Sequence, residues 1–99
     1  NVYPKEVEEV LYRHRAVAEA AVIGVPDPYW VERVHGVVVL KEDASASEKD
    51  IIQFCKAHMA AYKTPKSIAF VDALPKSPQG KILKRELKKG FRPVRPSSA

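Results

Sequence analysis

The sequence predicts a small α+β domain, a three-stranded sheet with flanking helices in the order α-β-β-α-β-α. Three observations carry that expectation. Two apolar, β-branched runs, at 16–25 and 34–40, are separated by a short connection rich in proline and aromatic residues. Apolar residues recur at helical spacing both before and after this pair of runs. A chain of 99 residues is also long enough for one core, able to bury roughly 65% of the surface that its unfolded form exposes.

The first helix is expected over residues 4–14. Proline suits the first helical position, and Val7, Val10, Leu11 and His14 fall on one face. Glu6, Glu8 and Glu9 lie in its first turns, where the helix dipole favours acids. Residues 16–25 read as a strand largely buried on both faces. The connection PDPYWVE, 26–32, holds Tyr29 and Trp30, and 34–40 returns as the antiparallel partner strand. Ser45 or Ser47 can cap a second helix over 48–61, with Ser47 and Asp50 at capping-box spacing. Its buried stripe is Ile51, Ile52, Cys55 and Met59. Thr64 and Pro65 break that helix and leave Tyr62, Lys63 and Lys66 grouped on a turn, before a third strand at 67–71. A short basic helix at 82–89 stops at Gly90. The domain is therefore expected to span 1–89, with 90–99 a basic, Pro/Ser-containing tail without fixed structure.

Composition narrows the class. Apolar content of 45% and charged content of 29% are ordinary for a soluble domain, and no apolar run approaches the roughly 20 residues of a transmembrane segment. A start at Asn1 rather than Met reads as a fragment of a longer protein. The single cysteine, Cys55, excludes an internal disulfide framework and suits a reducing compartment, the cytoplasm or, in a eukaryote, the mitochondrial matrix. Cys55 and His58 share a CxxH spacing, but no second ligand pair accompanies them, so Cys55 is read as a small core residue and no metal site is assigned.

The charge is uneven. Residues 76–99 carry eight Lys or Arg against one acid, Glu86, a net +7, which leaves −2 for residues 1–75. Such an end can meet a nucleic acid, an anionic membrane or a phosphorylated small molecule, or be a solvated helix face. After residue 76 the only aromatic is Phe91, and no nucleic-acid-binding motif is present, so nucleic acid is not expected as a partner.

Within that basic end, the run LPKSPQGKILKREL at 74–87 presents one lysine. Pro75 and Pro78 fix φ and push Leu74 and Ser77 toward extended backbone, while Gly80 frees the chain just before Lys81. This is not a phosphate-cradling P-loop: the first glycine of that motif would fall on Pro75, and Ile82 stands where it needs Ser or Thr. Lys81 is thus a delivered side chain, a compact charge on a long stem suited to neutralising a phosphoryl or carboxylate oxygen. No catalytic triad, motif-borne carboxylate pair or metal cluster completes an active site around it.

Taken together, NVYPKEVEEVL, AVIGVPDPYWVERVHGVVVL, AAYKTPKSIAFVDALP and PKSPQGKILKREL are collinear and resemble the C-terminal domain of the adenylate-forming superfamily. That superfamily includes the acyl-CoA synthetases, luciferases and peptide-synthetase adenylation domains. The resemblance covers about residues 1–89, and the KILKREL continuation is similar to the CoA ligases in particular.

It implies that a carboxylate attacks the α-phosphate of ATP to give an acyl adenylate and pyrophosphate, with Lys81, preceded by Gly80, at the carboxylate and α-phosphate. The domain then rotates about a hinge and offers its opposite face for thioester formation with CoA. By position, Trp30 would lie beside the pantetheine channel, Tyr62 near the adenine of CoA, and Lys63 and Lys66 near its phosphates. For these four, local packing and solvation stand as the alternative. The resemblance places the hinge and the glycine loop upstream of Asn1. A large N-terminal domain, the partner of this one, would hold ATP, Mg2+ and the acyl pocket, so the isolated chain is expected to be inactive. Two further points follow. The family usually has glycine where Val31 precedes Glu32, and a β-branched residue resists positive φ. An exposed Lys81 is also open to acetylation, which removes its charge.

Overall fold

The computed structural model describes residues 3–26 and 32–90. They form α1 (Pro4–Tyr12), β1 (Val17–Pro26), β2 (Glu32–Leu40), α2 (Glu48–His58), a 3-10 turn at Ala61–Lys63, β3 (Ser67–Phe70) and α3 (Lys84–Gly90). The predicted α+β class and element order both hold. β2 is central, antiparallel to β1 and parallel to β3, so the crossover from β2 to β3 carries α2 as parallel pairing requires.

Both faces of the sheet are covered. On one, Val7, Val10 and Leu11 of α1 and Ile51 and Cys55 of α2 pack with Ala20, Val22, Val38 and Ile68. On the other, Leu74, with half-buried Ile82 and Leu87, packs on Ala21 and Val37. Alternation along β1 explains how Ala20 and Val22 serve one core while Ala21 serves the other. Gly36 lets the first core close: a Cβ there would lie 2.8 Å from Ile68 Cδ1 and 3.6 Å from Leu11 Cδ1. Burial pushes the Cys55 thiol up to about 11, consistent with the core role expected of it.

One amide on each edge strand is taken by a helix glutamate. Val22 N–H donates to Glu8 Oε2 at 2.8 Å on β1, and Ile68 N–H donates to Glu48 Oε2 at 2.8 Å on β3. These carboxylates satisfy backbone donors that edge strands otherwise leave open.

Strand ends shift by one or two residues, and three helix boundaries differ from expectation for identifiable reasons. α1 ends at Tyr12, and His14 leaves the helix so that its Nδ1 accepts the Ala16 N–H at 3.0 Å. α2 stops at His58 rather than Ala61, because Met59 is fully extended and turns into the core. The Ser47–Asp50 capping box forms with both of its bonds. α3 begins at Lys84 rather than Ile82, since Ile82 and Leu83 are committed to an extended pairing described below. Of residues 90–99, expected to be an unstructured tail, Gly90 ends α3 and 91–99 lie outside the described residues.

His35, buried on β2, has Nδ1 2.6 Å from Ser67 Oγ. Its pKa is lowered, first by desolvation and then by the Arg33 charge, against an opposing pull from Glu48. The folded state therefore binds this proton less readily than the unfolded state, and stability falls as pH drops through the unfolded value of 6.5 toward the folded one. A urea midpoint lower at pH 5.5 than at pH 7.5 is expected, with a smaller difference in His35→Asn. An equal difference in that variant would assign the acid sensitivity to other groups.

Candidate functional site

Beyond Leu74 the chain builds a small hairpin. Lys76 and Ile82 form an antiparallel bridge, flanked by Ser77 N–H to Lys81 O at 2.8 Å and Leu83 N–H to Pro75 O at 2.8 Å. The loop is three residues, Pro78, Gln79 and Gly80, closed by Gly80 N–H donating to Ser77 O at 2.8 Å. Gly80 has φ +86, and a Cβ there would meet nothing within 4 Å. Glycine is thus favoured by backbone conformation and not by lack of space. The Lys81 N–H adds a bond to Ser77 Oγ at 3.2 Å.

This hairpin fixes where the lysine points. Ile82 is half-buried against the second core, so its neighbour Lys81 faces the other way, into solvent. The flanking cations are neutralised: Lys76 Nζ lies 2.6 Å from Glu19 Oε1, and Lys84 Nζ lies 2.6 Å from Glu8 Oε2. Among the described residues no acid pairs with Lys81. One uncompensated ammonium therefore stands at the tip of a braced hairpin.

A second group gathers on the turn before β3. Thr64 and Pro65 are buried, and Thr64 Oγ1 donates to Ala60 O at 3.2 Å, which holds the 3-10 turn Ala61–Lys63. Tyr62 projects from it, 64% exposed. Lys63 Nζ is 5.7 Å from the centre of the Tyr62 ring and forms an ion pair with Glu6 Oε2 at 2.9 Å. Its pKa is raised, first by the hydrogen bond to Glu6. Lys66 is exposed, and its backbone N–H donates to Val34 O at 2.8 Å. Trp30 and Val31 lie outside the described residues.

The two groups are anchored toward different ends of the sheet. Lys66 is anchored beside Val34, toward the end where Pro26 pairs with Glu32, the end that the Trp30 connection joins. Lys76 is anchored to Glu19, which pairs with Val39 near the opposite end. Tyr62 and Lys63 come together on the turn that Lys66 follows, and α1 braces both this turn, through Glu6, and the segment after Lys81, through Glu8. The acids that brace these lysines, Glu6, Glu8 and Glu19, were not singled out as site residues from the sequence. No local spacing relates Glu8 to Lys84, 76 positions on, so only the packing of α1 and α3 on β1 reveals the pair.

Residues 6–81 match the AMP-binding enzyme C-terminal domain family. The chain belongs to that family. It is 48% identical over 87 residues to a long-chain-fatty-acid–CoA ligase of Bacillus subtilis, covering 88% of this chain and 16% of that protein. It is 45% identical over 91 residues to a fatty acid–[acyl-carrier-protein] ligase, ScoC, of Streptomyces coeruleorubidus, covering 92% of this chain and 18% of that one. Among solved structures, the Mycobacterium tuberculosis fatty acyl CoA synthetase superposes with a TM-score of 0.86 at 42% identity, over 92% of this chain and 18% of that chain. The chain thus spans less than a fifth of the length of these relatives. Among the described residues, no helix is long and apolar enough to cross a membrane.

Proposed function

We propose that this chain is the mobile C-terminal domain of an AMP-forming acyl-CoA synthetase, and that it supplies the adenylation lysine, Lys81, on one face and a thiol-acceptor surface on the other. The observation that carries the reading is the Lys81 ammonium, without an acid partner among the described residues, on a hairpin whose neighbouring lysines Lys76 and Lys84 are already neutralised. In the first half-reaction a carboxylate oxygen attacks the α-phosphorus of ATP and the bond to pyrophosphate breaks. Two anions must approach, and charge shifts between their oxygens. Lys81, brought to the carboxylate and α-phosphate, lowers that repulsion as a fixed cation and need not transfer a proton. Gly80 gives the turn that aims it.

In the second half-reaction the CoA sulfur attacks the acyl carbonyl and AMP leaves. The exposed Tyr62 ring is suited to the adenine of CoA, and exposed Lys66 to its phosphates. Lys63 contributes charge beside them, shared with Glu6, and Trp30 is assigned to the pantetheine arm. The anchoring of the Lys81 hairpin and of the Tyr62–Lys66 turn toward different ends of the sheet supports separate surfaces used in turn. The hinge, ATP, Mg2+ and acyl pocket are assigned to a large N-terminal domain; Glu6, Glu8 and Glu19 on this domain are each already engaged by a lysine. A fatty acid is the proposed substrate, following the names of the relatives, and the cytoplasm the proposed compartment. Neutralisation of Lys76 and Lys84 disfavours the competing reading, a basic surface for nucleic acid or anionic membrane.

The test uses the full enzyme that carries this domain. It should release pyrophosphate from ATP only when a carboxylic acid is present, and then form an acyl-CoA with AMP as coproduct. Release of orthophosphate instead, or sustained thioester formation by the 99-residue chain alone, would refute the assignment.

A further inference from the structure

The Lys81 hairpin rests on the smaller of the two cores. Ala21, Val37 and Leu74 are its buried members, and Val39, Val71, Ile82 and Leu87 are only partly buried against them. Apolar contact of that extent leaves much of the orientation to polar ties, and among the described residues two ion pairs tie this segment to the rest of the domain. On the near side Lys76 meets Glu19, with side chains 41% and 32% exposed. On the far side Lys84, three residues after Lys81, meets Glu8, and the Glu8 side chain is only 19% exposed.

The two ties differ in kind. Glu19 holds a lysine at the surface, where solvent screens the pair and the gain is small. The Glu8 carboxylate is shielded, and its Oε2 receives both the Val22 N–H of the edge strand at 2.8 Å and the Lys84 ammonium at 2.6 Å. The strand amide and α1 fix the carboxylate, and the carboxylate fixes the start of α3. From Lys84, Leu83 leads back through its bond to Pro75 into the hairpin. A charge-assisted contact to a prefixed acceptor restrains geometry more than a pair of free surface chains does.

We infer that Glu8 is a positioning residue for Lys81: through Lys84 it sets the angle at which the hairpin carries the ammonium to the reacting phosphate. The inference rests on the reading of Lys81 as the adenylation lysine. It gives α1, on the opposite face of the sheet from the hairpin, a part in the first half-reaction.

The experiment compares Glu8→Gln, Lys84→Gln and the double variant in the full enzyme, with Lys81→Ala alongside. Glutamine keeps an acceptor for the Val22 N–H and removes only the charge that holds Lys84. Each single variant should slow pyrophosphate release about tenfold, short of the roughly 10²-fold that a 1 Å misplacement can cost. KM for acid and ATP should change little. Thioester formation from pre-made acyl adenylate should keep the wild-type rate, and the double variant should be no worse than either single, since one interaction is lost in all three. A loss shared equally by both half-reactions, additive losses, or wild-type pyrophosphate release would each overturn the inference. If Glu8→Gln lowers the melting temperature, Lys84→Gln, which leaves the Glu8–Val22 bond in place, decides the matter. Wild-type adenylation in Lys81→Ala would instead overturn the reading on which the inference rests, so the two failures are distinct.

Discussion

Replacing Lys81 by alanine in the full enzyme is expected to slow acid-dependent pyrophosphate release by roughly 10² to 10³, equivalent to about 2.7–4 kcal/mol of transition-state stabilisation. The size follows from what the side chain does and does not touch. Lys81 is exposed and, among the described residues, has no acid partner, so its removal leaves no buried charge and no unpaired donor in the fold. Stability should change by no more than about 0.5 kcal/mol, as for other surface substitutions. The whole loss should therefore appear in the chemistry. Arginine at the same position restores the charge but presents a planar fork in place of a point, and should recover only part of the rate. An alanine variant that melts early as well as reacting slowly would shift the effect from chemistry to folding.

The second large effect concerns the scaffold. Leu11→Ala is expected to cost about 2–5 kcal/mol, with a value in the upper half of that range. Leu11 is fully buried, and its Cδ1 sits 3.6 Å from where a Gly36 Cβ would be. Beneath it is bare β2 backbone at Gly36, which cannot move to fill the space, and the neighbouring Ile68 Cδ1 already closes over that glycine. Cavities that cannot collapse are the costly ones. A domain of this size has about 5–15 kcal/mol in total, and each kcal/mol is worth about 4–8 °C, so the melting temperature should fall by about 10 °C or more. A fall of under about 3 °C would mean that the core around Leu11 closes over the lost side chain more readily than its packing indicates.

The element order was legible because each element carries its own local signal. Pro4 opens α1, the Val-rich runs form β1 and β2, and the Ser47–Asp50 box starts α2 where its spacing indicates. Gly80 before Lys81 marked a turn with an amine after it, and the hairpin has that form. What stayed hidden depends on partners distant in sequence. That Ile82 is extended rather than helical follows from its bridge to Lys76, which no helical period encodes. The start of α3 moved two residues for that reason. Lys63 read as a cation free to meet phosphate, whereas the fold engages it with Glu6, because α1 and the 3-10 turn become neighbours only in three dimensions. The same holds for Glu8: its place in the first turns of α1 has a sufficient local explanation in the helix dipole, which conceals its bonds to β1 and α3.

The assignment of two faces to two half-reactions is tested most directly by giving Lys81→Ala enzyme pre-made acyl adenylate and following thioester formation with CoA. The account predicts the wild-type rate in this step, alongside the 10²- to 10³-fold loss in pyrophosphate release. An equal loss in both steps would contradict it, and would make Lys81 a residue on which the whole enzyme depends rather than the cation of adenylation.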